Sequence, residues 1–226
     1  MEHGLTPPAP PLWRDRLEAG HALGRQLSAH AALPPDAVLL ALPRGGVAVA
    51  VAMARELHRP VRTWSVRKIA DPAWSELAIG AVAAGGVTVW RGGGGTSAEL
   101  EARRQGWLKQ QEVELQRRQH LYGDPSPAGL SGRALIVVDD GIATGMTMQA
   151  ALVSLRQLKP ASLTLAVPVL DRSVVAHLRP LVDHLEALAV VDGLHAVGEW
   201  YERFDQLQDQ TVLDLLAAQP FPAVIR

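Results

Sequence analysis

The sequence predicts an α/β fold, a mainly parallel twisted sheet with helices on both faces. Three observations carry that expectation. Apolar runs of strand length recur at 37–42, 134–138, 162–167 and 185–191. Helical patterns alternate with them, which is the order that builds parallel sheets. Glycine-rich turns stand at the ends of two of these runs.

Taken in order, residues 4–11 are Pro-rich and read as a loose arm, and a helical pattern with Leu17, Leu23 and Leu27 on one side covers 12–30. Pro34, Pro35 and Asp36 break the chain before the first strand at 37–42. The turn Pro43-Arg44-Gly45-Gly46 leads into a helix that runs to about His58. Residues 61–67 read as one further strand, 69–77 as a loop, and 78–83 with 87–90 as a hairpin-like pair around Gly85 and Gly86. Glycines 92–95 form a link to one long charged helix from Ser97 to about Leu121, and 123–133 is a polar loop. After 134–138 the pattern gives a helix to about Leu158, a strand at 162–167, a helix from Asp171 to about Arg179, and a strand at 185–191. The reading is of one domain over 1–226. Its core is about 31–191, segments at about 12–20 and 192–206 flank it, and a last helix covers about 208–218.

At 226 residues the chain can bury a full α/β core, and 48% hydrophobic with 4% aromatic residues fits a core of Ala, Val and Leu. Formal net charge is −1, so no global field draws in nucleic acid or anionic lipid, and neither is expected as a partner. Any phosphate affinity must come from local geometry. There is no Cys, hence no disulfide, thiolate metal site or Cys nucleophile. No signal peptide or membrane-length apolar run is apparent, so a cytoplasmic location is expected. The helix at 97–121 has a narrow apolar stripe, Trp107, Leu108, Leu115 and Tyr122, that suits packing on the body or on a second copy in a homodimer. Its interleaved Arg, Lys and Glu residues are the ordinary pattern of a solvated face. His177 and His184 are separated by Pro180, and none of the eight His residues is read as a metal ligand.

The most informative stretch is ALIVVDDGIATGMT, 134–147. A buried strand ending in Asp139 and Asp140 puts two carboxylates at the carboxyl edge of the sheet, where open α/β folds bind ligands. Gly141 and Gly145 allow the backbone to approach an anion, Thr144 and Thr147 add hydroxyls, and the following helix offers unpaired N–H groups. The segment suits a sugar diol beside a monophosphate. The turn at 43–46 makes a second anion-binding candidate at the same edge, with Arg44 as a phosphate-matching fork.

An apolar strand, two acids and a Thr-Gly-x-Thr turn resemble the phosphoribosyl pyrophosphate (PRPP) motif of the type I phosphoribosyltransferases. PRGG, VRK (66–68) and VVDDGIATGMT follow in that family's order, and the opening WRDRLEAG resembles a bacterial subgroup of unsettled substrate. The resemblance implies that Asp139 and Asp140 meet the ribose hydroxyls and help hold Mg²⁺, mostly through ligand and water. It implies that Ala143, Thr144, Gly145, Met146 and Thr147 wrap the 5′-phosphate. Arg44, Gly45 and Gly46, with a cis bond expected between Arg44 and Gly45, then meet pyrophosphate together with Arg67 and Lys68. Residues 70–76 occupy the place of the family's mobile loop; Trp74 there either clamps substrate or pins the loop, and Glu76 is a candidate acid. The resemblance also implies a small hood over the base site, from about 12–20 and 192–206, in which Trp200 and Tyr201 of the aromatic cluster 196–204 are expected to stack on the base, with 13–15 joining them. The implied reaction transfers the phosphoribosyl group of PRPP to a nitrogenous base with release of pyrophosphate. Oxopurine salvage members carry an acid where this chain has Ala143, which disfavours an oxopurine handled that way. Two other readings use the same residues: a PRPP or nucleotide sensor without catalysis, and phosphorolysis or hydrolysis of a phosphorylated ribose. Asn at both acids is expected to weaken PRPP binding with little loss of fold, since strand-end acids contribute little to a core.

Overall fold

The computed structural model describes residues 10–30, 33–74 and 77–221. Helix α1 (Arg16–His30) buries Ala19, Gly20, Leu23, Gly24 and Leu27, spaced to form one stripe. The stripe lies on α2 (Gly45–Leu57), whose apolar residues are almost all buried because it is covered by α1 on one side and the sheet on the other. Strand β1 (Val38–Ala41) pairs in parallel with β2 (Val61–Thr63). The chain then leaves this sheet, and β3 (Val66–Ala70), β4 (Ala78–Ala83) and β5 (Thr88–Trp90) form a separate three-stranded antiparallel sheet.

Two helices follow, α3 (Ser97–Arg104) and α4 (Trp107–Tyr122), and then the single turn α5 (Pro127–Leu130). Strand β6 (Ala134–Val138) is buried at every position, as a central parallel strand requires. It leads through α6 (Met146–Gln157), β7 (Ser162–Asp171), α7 (Arg172–Leu178) and β8 (His184–Val191) to α8 (Asp209–Ala217). The main sheet has the order β2-β1-β6-β7-β8, parallel throughout. One of its faces packs on α6, α7 and residues of the small sheet, and the other on α1, α2 and α8.

The structure corrects four boundaries. Residues 61–67 are not one strand: the chain changes sheets at Trp64 and Ser65. Asp124 fixes that corner by accepting from Thr63 Oγ1 at 2.7 Å, from the Ser65 backbone N–H at 2.7 Å and from Ser65 Oγ at 3.1 Å. Trp64, fully buried, donates its indole N–H to Ser154 Oγ at 2.9 Å. The long charged helix is two helices, because Gly106 adopts φ 75°, outside helical space. The polar loop at 123–133 contains α5. Strand β7 continues four residues past Val167 to Asp171, paired there with β8 and, through Ile142, with the loop after β6.

That extension matters for the site. Ile142 donates its N–H to Val169 O and accepts at its carbonyl from Asp171 N–H, both at 2.9 Å. The Asp171 carboxylate caps α7 through Ser173 N–H and Oγ and also accepts from Leu194 N–H at 2.6 Å. Burial pushes this carboxyl up, but the donors from Ser173 and Leu194 outweigh it and hold the acid below its usual range.

Asp124 is buried enough to push its carboxyl up despite three donors. Asp124→Ala strands those donors, and we expect it to lower unfolding free energy by about 2–4 kcal/mol. Urea denaturation reads this directly, and a midpoint within error of the parent removes Asp124 from the corner.

Candidate functional site

The two glycine-rich turns meet. Helix α2 starts at Gly45, directly after Arg44, and the backbone of 45 and 46 lies against the end of β6. A Cβ on Gly45 would fall 1.8 Å from Asp140 Oδ2; one on Gly46 would fall 2.6 Å from Val138 O and 3.0 Å from Asp139 Cα. Any side chain here would displace an acid or strand β6. The cis peptide bond joins Pro43 to Arg44, one residue earlier than expected.

The acids are not simple solvated strand ends. Asp139 Oδ1 accepts from the Asp140 backbone N–H at 2.9 Å, and Asp140 Oδ2 accepts from Arg16 Nε at 2.7 Å. Burial raises the Asp139 carboxyl well above the usual carboxylate range, and the neighbouring Asp140 charge adds to it. Burial also raises Asp140, opposed by the Arg16 guanidinium.

Arg16 is the residue the sequence reading missed. Only 9% exposed, it also donates from Nη1 to the carbonyl of Asp205 at 3.0 Å and lies 3.7 Å over the Phe204 ring. Charge at a helix start gave no signal, because the partner is 124 positions away.

The hood closes around the same acid. Leu12 and Trp13 donate backbone N–H groups to Trp200 O, while Glu202 and Arg203 donate back to Trp13 O and Arg14 O. Tyr201 donates its hydroxyl to the Asp140 carbonyl at 2.5 Å, and burial raises that phenol above its ordinary range. Trp13, Tyr201 and Phe204 stack in sequence, with centroid separations of 5.6 and 4.9 Å. Trp200 and Tyr201 are 6% and 5% exposed inside this small core, so neither presents an open face to a base. This corrects the expected stacking role; the aromatic signal came from hood packing. Ala143, from the loop after the acids, packs on the same cluster.

Arg67 and Lys68 do not act together. In β3, Arg67 shares a face with Ile69, which is buried against α3 and α4, and its Nε donates to Gln111 Oε1 at 3.0 Å. Lys68 shares the opposite face with Val66, which packs on the main core. Arg67 therefore belongs to a charged network under α4. Burial lowers the affinity of Arg67 for its proton, and Arg118, Arg117 and Arg44 reinforce this. Arg117 and Arg118 hold Glu114 down at about 2, Arg117 first; Arg44 lies 3.6 Å from Asp209, which also binds Arg117 and the Tyr122 hydroxyl. Trp74, on a single 3-10 turn at Pro72–Trp74, is 71% exposed, so it does not pin its loop to the body. Glu76 lies outside the described residues.

Gly145 caps α6, and the loop at 143–147 opens that helix with Thr144 exposed and Thr147 half-buried. Two acids and two glycine turns thus meet at the carboxyl edge of β1 and β6, an arrangement suited to a ligand with a diol between anionic groups. No helix among the described residues is long and apolar enough to cross a membrane.

Known proteins resemble the chain over most of its length. The Mycobacterium tuberculosis protein named "Putative phosphoribosyl transferase Rv0571c" is 37% identical over 210 residues, 91% of this chain and 46% of its own length. The chain therefore spans about half the length of the curated relatives it matches. The crystal structure of TT1426 from Thermus thermophilus superposes with a TM-score of 0.70 at 32% identity, covering 93% of this chain and 99% of that one. The AQ2163 protein of Aquifex aeolicus shares the fold, with a TM-score of 0.51 at 10% identity over 81% of this chain and 78% of its own. Residues 17–183 match the family model described as the phosphoribosyl transferase domain, and with that match over most of its length the chain belongs to the phosphoribosyl transferase family.

Proposed function

We propose that the chain binds PRPP with Mg²⁺ and transfers the phosphoribosyl group to a ring nitrogen of a base, releasing pyrophosphate. The observation that carries this reading is the contact between Gly45 and Gly46 and the acids Asp139 and Asp140, which joins two anion-binding turns into one site. In that site the backbone at 43–46 and Lys68 take the diphosphate. Asp139 and Asp140 accept from the ribose 2′ and 3′ hydroxyls, and the loop 143–147 holds the 5′-phosphate. A nitrogen–C1 bond forms as the C1–oxygen bond breaks, the electron pair leaves with pyrophosphate, and the nitrogen proton passes to solvent. The side chains contribute by holding both reactants in line.

Adjacent carboxylates are hard oxygen donors of the kind Mg²⁺ uses singly or in pairs alongside substrate oxygens. Among the described residues, no group of three or more His, Cys, Asp or Glu residues builds a metal cage, and Asp140 already serves Arg16. Asp139 is then the better placed acid, with water and the diphosphate supplying the remaining positions. Mg²⁺ would neutralise charge on the departing pyrophosphate. With Trp200 and Tyr201 committed to the hood core, the acceptor is selected by the surfaces around Ala143 rather than by an aromatic sandwich.

The test is pyrophosphate release from PRPP with adenine, hypoxanthine, guanine, uracil and orotate as acceptors. We expect release with one class of base, and its loss on chelation of Mg²⁺. PRPP binding without release for any acceptor would move the assignment from transfer to sensing.

A further inference from the structure

A cleft of about 880 Å³ opens beside the phosphate loop. Ala143, Thr144, Gly145 and Met146 form one wall, and Gln149 and Val153 continue it along α6. The opposite wall is the end of β5 with the glycines that follow, carrying Arg91; α7 closes the third side with Val174 and His177. Such a volume encloses a whole small-molecule ligand rather than a single phosphate group. The space is also not the ribose or diphosphate region, because Asp139, Asp140, the turn at 43–46 and Lys68 do not line it. The loop 143–146 is thus shared by two regions: it follows the acids directly in the chain, and its residues line the cleft.

We infer that the chain accepts a ribose whose 5′ oxygen carries a diphosphate ester, with the first phosphate on the loop and the second phosphate and its attached group in the cleft. The inference rests on the phosphate-loop reading of 143–147. Arg91 and His177 face the space from different walls and supply hydrogen-bond donors for the second phosphate, with the Arg91 guanidinium adding its charge. Val89, Met146, Val153, Val174 and Leu178 give an apolar lining that suits a planar group attached beyond it.

The experiment compares equilibrium binding of ribose 5-phosphate and ADP-ribose to the full chain, with ADP-ribose as the probe for a 5′-diphosphate ester. We expect ADP-ribose to bind roughly tenfold more tightly or better, the scale of one added charge-assisted contact. In R91A/H177A, two exposed positions whose change leaves the core intact, that advantage should vanish while ribose 5-phosphate affinity stays unchanged. Equal affinity of the two ligands for the parent chain, or an ADP-ribose advantage that survives R91A/H177A, overturns the inference and leaves the phosphate loop standing. Failure of both ligands to bind overturns the inference together with the loop assignment.

Discussion

Gly45→Ala should reduce PRPP affinity at least about a hundredfold while costing about 1–3 kcal/mol of stability, the usual range for forcing a methyl into a packed site. The new Cβ would stand 1.8 Å from Asp140 Oδ2 and 2.4 Å from Cγ, far inside contact distance. Neither partner yields easily. Asp140 is held by Arg16, which is itself fixed by the Asp205 carbonyl and the Phe204 ring. On the other side, the residue opens α2, whose next turn is buried under α1. The side chain that moves must therefore take the Asp140 carboxylate with it, so affinity is expected to fall more than stability does. Combining Gly45→Ala with Asp140→Ala tests the mechanism: the clash goes, so thermal stability should recover toward that of Asp140→Ala alone, whereas PRPP binding should not. Titration of PRPP against the single variant is the direct check, and an unaltered affinity would mean that the two turns do not form one site.

The two acids should respond differently to Asn, in contrast to the expectation that both contribute little to the fold. At each position we expect PRPP affinity to fall roughly tenfold or more, since a hydrogen bond to a charged group contributes about 1.5–3 kcal/mol. Stability separates them. Asp139 has a folded-state affinity for its proton raised by burial and by Asp140. A raised value means that the stability this group contributes is present below the ordinary carboxylate range and is lost as pH rises through the raised value. Asp139→Asn removes that loss, so the variant should be more stable than the parent at neutral pH, by on the order of 1 kcal/mol, as is common when a site residue is neutralised. The gain should shrink as the pH is lowered through about 4 and vanish toward about 3, where the parent acid is protonated in both states. Asp140 is raised by burial as well, but its carboxylate is the counter-charge of the buried Arg16 guanidinium, so Asp140→Asn sets a gain of that kind against an uncompensated buried charge and should be less stable at neutral pH by about 1.5–3 kcal/mol. Melting temperatures of both variants across that pH range decide the matter; parallel curves for the two would refute the asymmetry.

How much of this was legible in the chain depended on how local the cause was. The all-apolar run ending in Asp139 and Asp140 identified β6 and the loop after it, because strand burial, turn chemistry and helix start lie within fourteen residues. That the main sheet is parallel followed from alternation alone. Residues 61–67, by contrast, have no local break: the corner at Trp64 and Ser65 is made by Asp124, about 60 positions on. Arg67 and Lys68 looked equivalent as neighbours, and the two-residue repeat of a strand sends them to opposite faces. Arg16 read as one more charge on a helix, because its partners Asp140 and Phe204 belong to other parts of the chain. The aromatic cluster at 196–204 was visible, but composition does not distinguish rings that receive a ligand from rings that pack on each other. Only burial does, and here it assigns Trp200 and Tyr201 to the hood.

The last three residues of β7 bear on how the molecule moves. Val169 and Asp171 hold Ile142, Asp171 caps α7, and the same carboxylate grips Leu194. The floor of the phosphate loop, one side of the cleft and the root of the hood thus hang from a single peg. Whatever orders one of these three surfaces is thereby expected to order the others, since all three share the hydrogen bonds of one residue, Asp171.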